Sequence, residues 1–139
     1  KRKAYSNPED VKQFAKVIEE PLSLPDSFKT IDHVYTMTSL AGFEALMRGI
    51  PVTTFGCPFY SGWGLTIDKQ PNERRKRKLT VDEVFAGAYI LYAKYYSLVT
   101  REEINLQEAI EQLSNLKKSF HNSILNDVKK NEEKRNIEY

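Results

Sequence analysis

Cysteine is nearly absent. The one present, Cys57, excludes an internal disulfide framework and fits a reducing compartment. It lies between Gly56 and Pro58 with no base beside it in sequence, which argues against a nucleophile. Histidine is scarce as well. His33 and His121 stand far apart, with no cysteine or carboxylate at ligand spacing, so no zinc centre is expected. No apolar run approaches the ~20 residues of a membrane span. The basic start KRKAYSNPEDVKQF is not followed by the apolar core of a signal peptide. There is no internal repeat and no initiating Met, and the second absence leads us to expect a fragment or a processed product. Net charge is only +2, so no global field draws the chain to nucleic acid or a membrane. What remains is 139 residues of ordinary composition, enough for one domain with one core.

Local patterns then place the elements. Ser6 and Glu9 have capping-box spacing, Pro8 suits a first turn, and Val11, Phe14, Ala15 and Ile18 share a face, which predicts a helix over SNPEDVKQFAKVIEE. PLSLPDSFKTID reads as a loop or a short helical turn. HVYTMT reads as a buried strand, SLAGFEALMRG as a helix capped by Ser39 and stopped by Gly49, and PVTTFG as a second strand. A strand, helix and strand this close together imply a parallel crossover. Two strands do not make a stable sheet. The sheet is therefore expected to be completed by sequence not present here, by a partner chain, or by strands near Leu22–Lys29. GCPFYSGWGLTIDKQPNERRKRK fits no period and reads as an ordered functional loop running into a basic segment. LTVDEVFAGAYILYAKYYSLV reads as a helix with a Thr80–Glu83 capping box, its tyrosines at 89, 92, 95 and 96 forming core and rim. Thr100–Glu103 repeats the box, and Leu106, Ile110, Leu113, Leu116, Phe120, Ile124 and Val128 mark a long amphipathic helix with a charged tail, expected to fray, from Lys129.

Two readings stay open at the first crossover. Thr38 and Ser39 at the carboxyl end of a parallel strand offer donors to a phosphate, or Ser39 merely caps the helix. Gly42 permits close approach of backbone or ligand. Glu44 favours the helix dipole, or accepts from the two hydroxyls of a ribose.

GFEALMRGIPV resembles the nucleotide-binding signature of the carboxy-terminal lobe of GT-B glycosyltransferases. More closely, DHVYTMTSLAGFEALMRGIPVTTFGCPFYSGWGLTID and RRKRKLTVDEVFAGAYILYAKYYSLVT are similar to the bacterial capsule polysaccharide family of KpsC and LipA type. The resemblance spans roughly Ile31 to Thr100. It implies an α/β fold: a partial Rossmann-like lobe with short parallel strands over residues 1–100, and a long carboxy-terminal helix over residues 101–139 packing on it. It implies transfer of Kdo, with retention, from CMP-Kdo to a lipid-linked acceptor in the capsule linker, with no metal or other cofactor. By position, Thr38 and Ser39 would contact the CMP phosphate, Glu44 the ribose, and Gly42 would allow close packing around the nucleotide. Tyr60 and Trp63 would wall the sugar cleft, or simply pack in the core. Thr36 stands where many retaining GT-B enzymes carry a further Glu, which speaks against the common UDP-sugar class. No His-Pro segment precedes the strand, and the catalytic carboxylate is expected on an amino-terminal lobe outside this sequence. The remaining lobe, or other capsule proteins, would be partners. The location implied is cytoplasmic, with peripheral association at the inner membrane.

The run Arg74–Lys78 is the densest charge in the chain. It reads as a solvated face, or as an attractor of an anionic nucleotide-sugar or phospholipid surface. Arg74 and Arg75 are the candidates for a specific cleft contact, because a guanidinium binds carboxylate or phosphate bidentately. Nucleic acid is not the expected partner. The alternative to an enzyme lobe is a non-catalytic interaction module of the capsule assembly and export machinery, docking through its carboxy-terminal helices.

Overall fold

The computed structural model describes residues 7–137, apart from the side chains of residue 8 and of residues 124 onward. The chain forms two compact units, Lys1–Lys76 and Arg77–Tyr139.

In the first unit, helix α1 spans only Pro8–Lys12. Its cap is Asn7, whose side chain accepts from the Glu9 N–H at 3.2 Å; the expected cap, Ser6, lies outside the described residues. The predicted helix to Glu20 is therefore cut short. The apolar face expected for it is exposed among the described residues, with Phe14 85% exposed and Val11 and Ile18 also exposed, and a short helix without packing is marginal. Helix α2 (Leu24–Ser27) occupies the segment where a missing strand was sought.

Strand β1 (Val34–Thr36), helix α3 (Leu40–Leu46) and strand β2 (Val52–Thr54) form the expected parallel crossover. A third strand comes from within the chain. Strand β3 (Ile67–Asp68) pairs in parallel with β2, giving the order β1-β2-β3. It lies inside the segment read as loop, which corrects the expectation that the third strand came from elsewhere. Gly49, at φ +74°, ends α3: its N–H donates to the Leu46 carbonyl, and the Ile50 N–H reaches back to Ala45. That is the paired turn that glycine at this position makes accessible. The core lies between α3 and the sheet, where Phe43, Ala45, Val52, Thr54 and Tyr60 are all buried. Fully burying a side chain such as Phe43 or Val52 contributes about 1.5–3 kcal/mol.

In the second unit, helix α4 (Val81–Phe85) has the predicted capping box. The Glu83 N–H donates to Thr80 Oγ1 at 3.2 Å, and the Thr80 N–H donates to the Glu83 carboxylate at 2.7 Å. These bonds hold the Glu83 carboxyl below its ordinary value. The predicted single helix to Val99 does not persist. It passes into a π-helix over Ala86–Tyr92, whose Tyr89 carbonyl accepts from Tyr95 Oη at 2.8 Å. The chain then extends into strand β4 (Tyr95–Tyr96), paired antiparallel with β5 (Glu103–Ile104). Ser97 makes the hairpin: its Oγ accepts from the Val99 and Thr100 N–H groups, both at 3.2 Å. Glu103 is thus a strand residue, 3.2 Å from Lys94, and the expected Thr100–Glu103 box does not form. The box belongs instead to Asn105 and Glu108, each accepting the other's N–H, and it starts helix α5 (Leu106–Ile137). Helix α5 continues past Lys129 as regular helix. The side chains of Ile124 and Val128 lie outside the described residues.

Candidate functional site

The three parallel strands end on a polar row. Thr36 pairs with Thr54, and Thr54 with Asp68. This is the carboxyl end of the sheet, the edge where open α/β sheets place ligands. The chain leaves β1 through Met37 and Thr38 and turns at Ser39 into α3.

Ser39 is exposed and holds the turn through three groups. Its N–H donates to Thr36 Oγ1 at 3.3 Å, its Oγ accepts from the Ala41 N–H at 3.2 Å, and its carbonyl accepts from the Gly42 N–H at 3.1 Å. A hydroxyl that accepts one bond keeps its own proton to donate, so the capping role and a ligand role are compatible. The methyl of the exposed Thr38 lies over Gly56, where an added Cβ would sit 2.9 Å from Thr38 Cγ2.

Gly42 is buried, and its lack of a side chain serves Tyr60. A Cβ there would overlap Tyr60 Oη and stand 2.9 Å from its Cζ and 3.1 Å from Thr36 Cγ2. The space belongs to a protein side chain. Glu44 lies further along α3, with its side chain 31% exposed. Its carboxylate is 3.9 Å from Arg48 Nη1, whose stronger bond, at 2.8 Å, goes to the Glu44 carbonyl. Arg48 also lies over the Phe28 ring. The Glu44 carboxylate is thus only loosely engaged.

Tyr60 is fully buried, stacked on Phe43 and edge-on to Phe59, and its hydroxyl donates to the Ser39 carbonyl. Burial pushes its phenol up from the ordinary range. A ring with no exposed surface does not stack on a sugar, so the expected wall role is corrected to a packing and anchoring one. Trp63 is half-buried; its Nε1 donates to the Phe59 carbonyl at 2.8 Å, and the Arg75 guanidinium lies 5.4 Å over its ring.

Arg74 and Arg75 are adjacent in sequence and different in surroundings. Arg74 is exposed; Arg75 is half-buried. Arg75 Nη1 donates to the carbonyls of Pro58 and Ser61 and to Ser61 Oγ. That nitrogen is committed to the protein's own loop.

Sequence reasoning missed Asp68. One carboxylate oxygen accepts from Thr54 Oγ1 at 3.0 Å and Thr66 Oγ1 at 2.6 Å, and the other from the Gly62 N–H at 2.8 Å. It ties the edge of the sheet to the loop that carries Tyr60 and Trp63. The only signal was an Asp closing a Gly-rich stretch. His33 bonds Thr53 at 2.9 Å and lies tilted against the Tyr35 ring, and Cys57 Sγ lies 3.5 Å from the Gln70 carbonyl. Among the described residues, no group of three or more His, Cys, Asp or Glu is placed to hold a metal ion, and no helix is long and apolar enough to cross a membrane.

The arrangement offers hydroxyl donors at the Ser39 turn, a partly exposed carboxylate at Glu44, and a loop pinned beside them by Asp68, Tyr60 and Arg75. The same span of sequence recurs in known proteins. The chain is 49% identical over 113 residues to the lipopolysaccharide-processing protein LpsZ of Rhizobium meliloti, covering 81% of this chain and 26% of that protein. It is 40% identical over 112 residues to the capsule polysaccharide modification protein LipA of Neisseria meningitidis serogroup B, covering 81% of this chain and 16% of LipA. Among solved structures, it matches the β-Kdo 2,7 transferase of Thermosulfurimonas dismutans KpsC with a TM-score of 0.73 and 43% identity, covering 81% of this chain and 38% of that one. The β-Kdo 2,4 transferase of the same KpsC matches with a TM-score of 0.66 and 46% identity, covering 70% and 30%. The chain thus spans only a fraction of each relative. A family model described as capsule polysaccharide biosynthesis protein matches residues 3–102, the whole crossover and its pinned loop included, and the chain belongs to that family.

Proposed function

We propose that this chain is part of a glycosyltransferase that transfers Kdo from CMP-Kdo to a lipid-linked acceptor, and that it contributes the nucleotide-holding side of the cleft. The observation that carries the reading is the match to the KpsC β-Kdo 2,7 transferase, at 43% identity over 81% of this chain. The polar turn at the carboxyl edge of the sheet supports it. In this reading Thr38 and Ser39 donate hydroxyl bonds to the CMP phosphate, and Glu44 accepts from the ribose hydroxyls, a charge-assisted pair. Gly42 keeps the turn close to Tyr60. Trp63 and the exposed Arg74 face the sugar or acceptor side. The acid–base groups of the transfer come from outside this chain, and no resident cofactor or metal is needed here. The site lies on the cytoplasmic side, at the inner-membrane surface where a lipid-linked acceptor is reached.

Calorimetric titration of the chain with CMP tests the reading. We expect saturable binding at one site, and binding lost in Ser39→Ala with Glu44→Gln. A chain that is folded by circular dichroism and takes up no CMP would remove the proposed role.

A second reading has its own observation. Ile110, Leu113, Leu116 and Phe120 on α5 are 52–70% exposed, an apolar face of the kind that docks on another protein. On that reading the chain is an interaction module of the capsule machinery, and light scattering would find an oligomer or complex indifferent to CMP.

A further inference from the structure

Two side chains tie the turn Pro58–Ser61 to the rest of its unit. From within it, Tyr60 sends its hydroxyl to the Ser39 carbonyl. That carbonyl already accepts from the Gly42 N–H, so both bonds bear on the first turn of α3. Tyr60 has no freedom to do otherwise: it is 0% exposed, Phe43 and Phe59 hold its ring, and only the missing Cβ of Gly42 makes room for its hydroxyl. From beyond β3, Arg75 Nη1 bridges the Pro58 carbonyl, the Ser61 carbonyl at 2.9 Å and Ser61 Oγ at 3.3 Å. These groups flank Tyr60 on both sides. Gly62, at φ +76°, leaves space for the arginine stem, since a Cβ there would sit 3.2 Å from Arg75 Cβ and Cδ. The guanidinium also lies against Trp63, which leaves the arginine little rotational freedom.

We infer that Arg75 and Tyr60 are positioning residues acting in series. Arg75 fixes the Pro58–Ser61 turn, the turn fixes Tyr60, and Tyr60 sets the Ser39 carbonyl and with it the first turn of α3. Arg75 therefore serves the cleft through the loop and does not touch the donor. The inference deepens the nucleotide reading of the Ser39 turn and rests on it for its functional meaning, while the linkage itself is a property of the fold. Its neighbour Arg74, exposed and without these bonds, is the arginine left to face a ligand.

A double-mutant cycle separates action in series from direct contact. Tyr60→Phe keeps the ring and removes the hydroxyl; Arg75→Met keeps the stem and removes the donors. Should Arg75→Met not fold, Arg75→Lys replaces it. Two readouts are taken on the whole chain: CMP affinity, and the hydrogen-exchange rate of the Gly42 amide without ligand. Each single variant should lose roughly tenfold in CMP affinity, and the Gly42 amide should exchange roughly tenfold faster, as expected for one lost bond. The double variant should lose no more than the worse single. A double loss near the product of the singles, roughly a hundredfold, or a Gly42 amide unmoved by the Arg75 change, would overturn the linkage. If the wild-type chain binds no CMP, the nucleotide reading fails, and the exchange rates still decide whether Arg75 and Tyr60 act in series.

Discussion

The hydroxyl of Tyr60 donates to the carbonyl of Ser39, 21 residues earlier in the chain. One bond thus joins the glycine-rich loop to the cap of α3. The loop and the cap are distinct features in the sequence; in the fold they are one object.

Removing that hydroxyl should be measurable in two ways. Tyr60→Phe should cost about 1 kcal/mol in denaturant unfolding, one net hydrogen bond, whereas Tyr60→Ala should cost about 3–5 kcal/mol because a buried ring is lost as well. The pH dependence has a definite sign. Burial holds the folded phenol above its ordinary 10.0, so its protonation favours the folded state fully below that pH, and the contribution disappears as pH rises through the raised folded value. Above about pH 10 the wild type should therefore lose stability faster with rising pH than Tyr60→Phe. Parallel curves would count against a buried phenol.

Gly42 and Gly49 make a paired prediction on one helix. Gly42→Ala drives a methyl into Tyr60 and Thr36 and should cost about 1–3 kcal/mol through overpacking. Gly49→Ala meets open space but sits at φ +74°, and should cost about 1–2 kcal/mol through backbone strain alone. Combining Gly42→Ala with a smaller residue at 60 should recover part of the first cost and none of the second, as read by thermal melts.

Asp68→Ala leaves the Gly62 N–H and the buried Thr54 hydroxyl without their acceptor. The expected loss is about 3 kcal/mol. The same variant should loosen the loop, seen as faster amide exchange at Gly62. Stability within about 0.5 kcal/mol of wild type would mean that the carboxylate does not hold the loop.

Glu44→Gln distinguishes a ligand role from a helix-dipole role. Only a long, partly exposed contact with Arg48 is lost from the fold, so unfolding should change by less than about 1 kcal/mol. CMP binding should weaken tenfold or more, because a charge-assisted acceptor is removed. Equal affinities would leave Glu44 with the helix alone.

Much of the crossover was legible from local rules. Ser39 caps and Gly49 stops α3 because both act within a few residues of themselves. Strand β3 was not legible. Two residues, Ile67 and Asp68, carry no period, and pairing with β2 alone makes them a strand. The helical spacing from Val81 to Tyr95 misled for a related reason: Tyr95 and Tyr96 find partners in Ile104 and Glu103, and a pairing across a hairpin is invisible to a local period. At the candidate site, the Ser39 cap was legible from residue type and position. The duties of Tyr60, Asp68 and Arg75 were not, because each is defined by partners that only the folded chain brings to it. Tyr60 was left open between a wall of the sugar cleft and a core residue; its burial makes it a packed anchor.

On the proposed function, the Ser39 turn and Glu44 hold a nucleotide. Heteronuclear NMR of the isotope-labelled chain, titrated with CMP, tests it most directly. The amide signals of Ser39, Ala41, Gly42 and Glu44 should move together and saturate, while those of α5 stay fixed. A titration to high CMP in which these four stay still, or in which the shifts gather elsewhere on the chain, would contradict it.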